Sequence, residues 1–484
     1  MKAIDRANAY QKKLNDSEDF KMREILFKTK KGQLIFLNEI VDGRAISQNI
    51  IFAINAFKNK KDLDMNTILA EVVSVDKAEI ITADADILDR LLRGNAVLFI
   101  DDTKEALAFN VAKFESRGIT EPPSSSVVKG PREGFTESIR TNIALIRKRL
   151  LTPTLKIEAL TVGRRTKTAV RLLYLTDVAD KRIIKKIKDK IEAIDIDGII
   201  DSYYIAQFLE ERPYSCFKQV GNSEKPDIIC AKILEGRVAI AVDGSPIVLT
   251  LPFMLSEDLQ SSNDYYGEYN RASMLRFMRA FGAILSIFAP GLYIAVELYH
   301  YKLLPLNFLI TIVNSTQNLP LSPLLEIVLV LILFEILFEA TIRMPKHLGS
   351  AISIVGGIIL GDTAVKAGLV SPPAVMIVAV SAITIYTIPD QSAQISLLRI
   401  IFTIIGGILG FEGLLLGGIV LITYLSNFDT YFTPYLAPLA PYIKSDGKDF
   451  LMVKNRRAMD TRPYSIPNNN RVRMRKKDEV NSKN

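Results

Sequence analysis

The sequence has no tryptophan and only two cysteines and two histidines in 484 residues. Cys216 and Cys230 form no CxxC and have no histidine beside them, which argues against a zinc site. The start, MKAIDRANAYQKKLNDSED, has no apolar h-region, so no signal peptide is expected and the N-terminal part should stay in the cytosol, where a disulfide is disfavoured. His300 and His347 lie at the ends of hydrophobic runs without triad partners, so no hydrolase is suggested. No dinucleotide fingerprint is present. Gly163-Arg164-Arg165-Thr166-Lys167-Thr168 lacks the spaced glycine of a phosphate loop and lies between two strand-like runs, so it reads as a basic hairpin tip. Nothing calls for a catalytic residue, a metal or a cofactor, and a non-catalytic membrane protein is the leading class.

Charge is also scarce, but only in one region. Residues 280–443 carry five Lys/Arg and eight Asp/Glu, 13 charges in 164 residues, whereas the other 320 residues hold 101 of the 114 charges. Runs such as Leu324 to Phe338 are too apolar and too closely spaced to be helices of one soluble core. The middle block sums to −3 and residues 444–484 to +7, twelve basic against five acidic, so the remaining 279 residues sum to +4 of the total +8. By the positive-inside rule, the basic tail and Arg271, Arg276 and Arg279 belong on the cytosolic side. Topology control or lipid headgroups explain the tail better than nucleic acid.

The soluble part divides near Thr120-Glu121-Pro122-Pro123-Ser124-Ser125-Ser126. Strands are expected at residues 34–41, 96–100 and 106–112, with helices at 44–57 and 84–92. In the second lobe, strands are expected at 155–162, 169–176 and 237–242, with amphipathic helices at 179–194 and 227–234. The expected fold is a two-lobed α/β cytosolic domain followed by an α-helical polytopic membrane domain. Its parts are a first lobe (1–121), a second lobe (122–275), a membrane domain of four to six helices (276–443) and a basic cytosolic tail (444–484).

In REGFTESIRTNIALIRKRL, Phe135, Ile139, Ile143, Ile146 and Leu150 fall on one helical stripe, and Glu133, Arg140 and Arg147 on another at seven-residue spacing. With Arg132, the charged stripe is either a solvated face or a subunit interface, where Arg favours bidentate contacts. GPREGFTESIRTNIALIRKRL resembles the signature stretch of the A subunit of GerA-type spore germination receptors. VGRRTKTAVRLLYLTDVAD, IDGIIDSYYIAQFLE, ILEGRVAIAVDGSPIVLTLP, APGLYIA, FEILFEATIRMP, SIVGGIILGDTAVKAGLVSPP and PYLAPLAP resemble further family blocks in order, from about Gly130 to about Pro441. The chain departs from the family pattern at Phe217-Lys218 and Glu224-Lys225-Pro226-Asp227. The resemblance implies a nutrient-germinant receptor subunit in the spore inner membrane, working with a permease-like B subunit and a lipoprotein C subunit. It also implies a homo-oligomer forming a ligand-gated channel for monovalent cations. A non-conducting scaffold or a secondary transporter stays open as the alternative.

Six hydrophobic segments run approximately over residues 281–299, 303–313, 321–341, 351–370, 374–389 and 398–426. The second is too short to span, and the sixth has six glycines with Glu412 near its centre. If both termini are cytosolic, the crossings are even in number. Glu335, Glu339 and Arg343 follow at four-residue intervals, a face that lipid would not tolerate; it points to a pore or interface, or Arg343 merely marks the boundary. Gly349, Ser353, Gly357 and Gly361 form a smooth stripe for helix packing, followed by the i,i+4 pair Asp362 and Lys366. Glu335, Glu339, Arg343, Asp362, Lys366 and Glu412 are therefore the candidate pore or gating residues, and Arg132, Glu133, Arg140 and Arg147 the candidate subunit interface.

Overall fold

The structure, a computed structural model, describes residues 2–27, 30–57, 65–75, 77–113, 129–317, 319–343 and 361–474. The expected divide at residues 120–126 and the stripe members Gly349, Ser353 and Gly357 lie outside them.

Two lobes share one plan. The first runs α1 (Ala3–Lys13), β1 (Phe20–Leu26), β2 (Lys31–Leu37), short helical turns between residues 43 and 72, β3 (Ala78–Ile81), α2 (Asp84–Leu92), β4 (Asn95–Ile100) and β5 (Ala106–Asn110). The second runs α3 (Ile139–Arg149), β6 (Leu155–Val162), β7 (Thr168–Leu175), α4 (Lys181–Glu192), α5 (Ser202–Leu209), β8 (Gly221–Ser223), α6 (Pro226–Leu234), β9 (Val238–Val242) and β10 (Val248–Leu251). The sheet orders are β1-β2-β4-β5-β3 and β6-β7-β9-β10-β8, the same permutation, and every pairing is antiparallel.

Both faces of each sheet are covered. In β9, Val238, Ile240 and Val242 join Ile183, Ile187 and Ile191 of α4, while Ala239 and Ala241 join Ile143 of α3 and Ile229 of α6. Alternation along the strand thus feeds two cores, and VAIAV is apolar throughout for that reason. The basic hairpin tip forms as expected, turning between β6 and β7 with Gly163 at φ 92°.

Helix α3 joins the lobes. Its Ile143 and Ile146 pack in lobe two, while Ala144 reaches the core of lobe one. Arg147 donates from Nε to Asp19 Oδ2 at 2.9 Å and from Nη2 to Asp19 Oδ1 at 3.0 Å and Ser17 Oγ at 3.2 Å. Both side chains of this pair are at most 1% exposed. Arg140 donates to the Asn38 and Val41 carbonyls at 2.8 and 3.3 Å. The seven-residue stripe is therefore neither a solvated face nor open to another subunit at Arg147; its arginines grip the first lobe of the same chain. Glu133 accepts from Lys148 and Arg149, and Arg132 is exposed.

The apolar part comprises α7 (Tyr269–Tyr299), α8 (Leu306–Thr316), α9 (Pro323–Arg343), a helical stretch at residues 361–366, α10 (Pro372–Ile385) and α11 (Ser392–Ser426). Among the described residues, two stretches, Tyr269–Tyr299 and Pro389–Ser426, are long and apolar enough to cross a membrane. Helix α9 has the length but carries Glu326, Glu335, Glu339 and Arg343.

α11 is not one rod. Gly410 has φ 65° and ψ −153°, outside helical space, and a Cβ on Gly417 would touch Phe402 and Ile405. In a straight helix residues 402 and 417 would be about 22 Å apart. The chain folds back at Gly410 into a hairpin, which glycine permits at positive φ. Tyr299 Oη donates to the freed Gly407 and Ile408 carbonyls at 3.0 and 3.1 Å. The tip lies beside the end of α7, so Glu412 is not central; it is exposed at the tip, 3.6 Å from His300 Nε2. The glycines that made this segment ambiguous are those of a turn and of two closely packed limbs.

The basic tail, as far as residue 474, is a folded strap. Asn468 bridges to Ala179, Asn469 N–H donates to the Val178 carbonyl at 2.8 Å, and Arg462 Nε donates to the Leu234 carbonyl at 2.6 Å. The strap ties lobe two to the start of α7.

Candidate functional site

Four apolar helices meet at one polar node. Arg399, on the first limb of α11, is 2% exposed. Its Nη2 donates to Glu335 Oε1 of α9 at 2.5 Å and its Nη1 to Ser381 Oγ of α10 at 3.1 Å. Ser396 Oγ, one turn before Arg399, donates to the same carboxylate oxygen. Ser286 of α7 and Ser381 exchange hydrogen bonds, each hydroxyl donating to the other's carbonyl, at 2.8 and 3.1 Å. A charge among apolar helices is tolerated where it is paired and hydrogen-bonded, as Arg399 is through Nη1 and Nη2, though not through Nε, which has no hydrogen bond among the described residues.

Glu335 is thus the one carboxylate of the four-residue row that turns inward, and its partner is on another helix. Glu339 and Arg343 pair with each other at 2.6 Å on an exposed face. Asp362 and Lys366 likewise pair at 2.5 Å and are exposed. Gly361 allows ordinary contact only, a Cβ there lying 3.7 Å from Val375. Among the described residues, a close helix approach joins α7 and α11: a Cβ on Gly291 of α7 would overlap the Phe402 carbonyl, and one on Gly406 would overlap the Gly291 carbonyl. Toward the hairpin tip, Glu326 is 2% exposed and accepts from Ser371 N–H at 2.5 Å.

Below the node, a second set of charges fastens the helices to lobe two. Arg276, on the first turns of α7, is fully buried; it donates to Asp264 Oδ2 at 2.9 Å and, at 2.8 Å each, to the Asp449 carbonyl and carboxylate and to the Phe450 carbonyl. Arg279 donates to both Asp264 oxygens at 2.9 and 2.7 Å. Burial alone would raise the Asp264 carboxyl, but hydrogen bonds from Arg279 and Arg276 hold it below its ordinary value. In lobe two, burial likewise opposes ionisation of Glu257, and Arg237 and Lys232 overcome it and hold that carboxyl well below the usual range. Arginines expected only to mark a membrane boundary therefore hold linker, strap and first helix together.

Arg399 was legible as the lone basic residue between Lys366 and Lys444, flanked by Leu398 and Ile400, the signal that an ionisable residue at such depth is functional. The clamp on Arg276 had no comparable signal, since Asp449 lies 173 residues away.

An antiparallel two-lobed α/β domain joined to an apolar helix bundle with a buried charged node defines the class as a two-lobed α/β module fused to an apolar helical part. Residues 8–465 match the model of the family described as Bacillus/Clostridium GerA spore germination protein. The chain belongs to the GerA spore germination family. It is 34% identical to spore germination protein KA of Bacillus subtilis (strain 168), over 96% of this chain and 87% of that one. It is 32% identical to spore germination protein A1 of the same organism, over 88% of each chain. With spore germination protein GerQA of Bacillus cereus the identity is 31%, over 95% of this chain and 92% of that one. Among solved structures it is similar to the N-terminal domain of the A subunit of the Bacillus megaterium spore germinant receptor GerK3, at 27% identity, TM-score 0.40, 51% of this chain and 94% of that one. These three relatives are named as spore germination proteins, and none of the three is named as an enzyme.

Proposed function

We propose that this chain is the A-type subunit of a nutrient-germinant receptor of the spore inner membrane, oligomerising into a ligand-gated channel for monovalent cations. It works with a permease-like B subunit and a lipoprotein C subunit. The observation that carries the reading is the pairing of Glu335 with the buried Arg399 where four largely apolar helices converge.

The helix directions support a polytopic membrane domain. α7 leaves the lobes and ends at the hairpin tip; α9 and α10 both run from the tip end toward the lobes, as Leu324 beside Gly407 and Thr384 beside Gly282 indicate. The two limbs of α11 are about 27 and 24 Å long, close to the ~30 Å of a hydrocarbon core. α7, α9, α10 and the two limbs of α11 are five passages among the described residues, within the four to six helices that the sequence predicts. α8 has 11 residues, too short to span.

Cation flux decides between channel and scaffold. In vesicles reconstituted with the B and C partners, germinant should release trapped potassium; a complete assembly that binds germinant and passes no ion would make this subunit a scaffold. The side is tested on a native thiol. Cys216 is exposed beside the lobe-side end of α11, where Tyr424 Oη bonds Ser215 Oγ at 2.9 Å, whereas Cys230 is buried and its thiol is pushed up to about 12. An impermeant maleimide should therefore label one site, Cys216, in inside-out vesicles and not in right-side-out ones; labelling from the outer face refutes the orientation.

A further inference from the structure

Where lobe two meets the helices, its surface carries large aromatic side chains. α5 buries Ser202, Ile205, Ala206 and Leu209, and its other face, which a lobe surrounded by water would make polar, presents Tyr203, Tyr204 and Phe208. Just beyond α5, Tyr214 is fully exposed. Its level is fixed from both sides: Arg212 Nη2 donates to the Asn427 carbonyl at 2.6 Å, and Ser215 Oγ meets Tyr424 Oη at 2.9 Å. Tyr214 therefore lies beside the lobe-side end of α11. Phe432 comes to the same end from a hairpin of β11 (Asp429–Thr430) and β12 (Thr433–Pro434), whose two-residue turn sets Tyr431 at φ 48° and Phe432 at φ 65°.

Two bulky residues at positive φ in one turn are costly, since glycine, asparagine and aspartate take such positions with least strain. For Tyr431 burial offsets the cost: its ring joins the core of lobe two, and its Oη donates to the Leu209 carbonyl at 2.7 Å. Phe432 stays half exposed, with only Arg182 and Lys186 over its ring at 5.5 and 4.9 Å. The charges around this rim are mostly answered. Asp180 holds Arg182, Glu211 holds Lys186, and Lys190 donates to the Leu209 and Glu210 carbonyls beside the Glu210 carboxylate. Arg212 differs. Its side chain gives one hydrogen bond, to Asn427, lies over the rings of Tyr424 and Phe428 at 5.6 and 4.8 Å, and has no ion pair among the described residues.

Resting on the membrane reading above, we propose that this rim docks on the lobe-side leaflet, with Phe208, Tyr214 and Phe432 in the headgroup layer and Arg212 on a lipid phosphate. Continuity names lipid as the occupant. Leu416, Val420 and Tyr424 follow at four-residue intervals down one exposed face of the second limb of α11, and that face ends where Ser215 attaches Tyr214. Aromatic side chains, with polar tips or beside cations, are what a membrane–water interface collects. A guanidinium without a carboxylate is matched by phosphate.

The absence of tryptophan from the sequence supplies the test. Tyr214→Trp, Leu416→Trp and Phe52→Trp, made singly in the full chain, each carry one indole, on the rim, on α11 and on lobe one, all at exposed positions. In vesicles of phosphatidylglycerol and phosphatidylcholine with acyl chains brominated near the headgroup, Tyr214→Trp should lose at least about half of its emission and Phe52→Trp almost none. Leu416→Trp should be quenched as well, and more strongly by bromine near the methyl end of the chain. Arg212→Glu sets a carboxylate against the phosphate. It should bring the quenching of Tyr214→Trp down to that of Phe52→Trp, while Leu416→Trp in the same variant stays quenched because the chain is still inserted. Quenching of Leu416→Trp without quenching of Tyr214→Trp overturns the docking and leaves the membrane reading standing; loss at both positions overturns both. Two further results would each overturn the proposal: a rim indole shielded from acrylamide yet untouched by bromolipid, which would mean that another subunit covers it, and quenching indifferent to Arg212→Glu.

Discussion

Replacing Glu335 by glutamine is expected to lower the level of folded protein severalfold, before any effect on ion release is seen. The substitution leaves Arg399, which is 2% exposed, without its counter-charge among apolar helices. Breaking a fully buried pair from one side costs roughly 3–5 kcal/mol, because a desolvated charge is left behind. The Glu335 side chain is 32% exposed, so solvent offsets part of that, and about 2–3 kcal/mol is the expected loss. The double variant Glu335→Gln/Arg399→Gln should regain most of the level, since both charges go together and the two amides can bond each other. Conduction is then read on the double variant. Abundance comes from quantitative blotting of the membrane fraction, and conduction from potassium release after germinant. If the double variant is abundant and releases potassium with normal kinetics, the node is a packing device and Glu335 has no place in a conducting path. Glu339→Gln serves as the internal contrast: its pair with Arg343 is exposed and of the i,i+4 kind, worth about 0.3–0.5 kcal/mol, so abundance should not change.

Periodicity along one element was readable, and contacts between elements were not. Asp84–Leu92 and Leu155–Val162 form over the residues that their patterns indicate, and most other expected elements differ by a residue or two at their ends. α1, α5, β1, β3, β8 and β10 were not anticipated. The latter three are four residues or fewer, too short to display a period, and β1 alternates poorly, with one buried residue between four exposed ones and the strand end. The shared plan of the two lobes was equally hidden, because it resides in strand order and not in repeated residues. The row Glu335, Glu339, Arg343 was correctly seen as one face, yet an i,i+4 reading looks only along its own helix. It therefore matched Glu335 with neighbours on α9, when the tertiary partner is 64 residues away on α11. Gly410 gives no sign of a reversal, because glycine-rich helices and helical hairpins have the same composition; only its backbone angles separate them.

The same limit applied to α3, and there it changes what a mutation should do. On spacing alone, Arg140 and Arg147 are equivalent, and reversing either to glutamate would disturb a partner surface without unfolding the domain. Their surroundings make them unequal. Arg147→Glu would place a second carboxylate against Asp19 where both side chains are sealed from solvent, losing a bidentate pair and the Ser17 contact at once. The expected loss is at least about 3–5 kcal/mol. Ser17 Oγ also accepts from Ile157 N–H at 3.1 Å, so the damage should spread into β6. Arg140→Glu removes donors from the Asn38 and Val41 carbonyls and brings like charges near Glu39, but half of its side chain is in water, and about 1 kcal/mol or less is expected. Thermal unfolding of the two variants side by side should show a large drop in Tm for Arg147→Glu and a small one for Arg140→Glu. Comparable small shifts would mean that the lobes do not rest on the Arg147–Asp19 pair, and would return that stripe to the surface of the molecule.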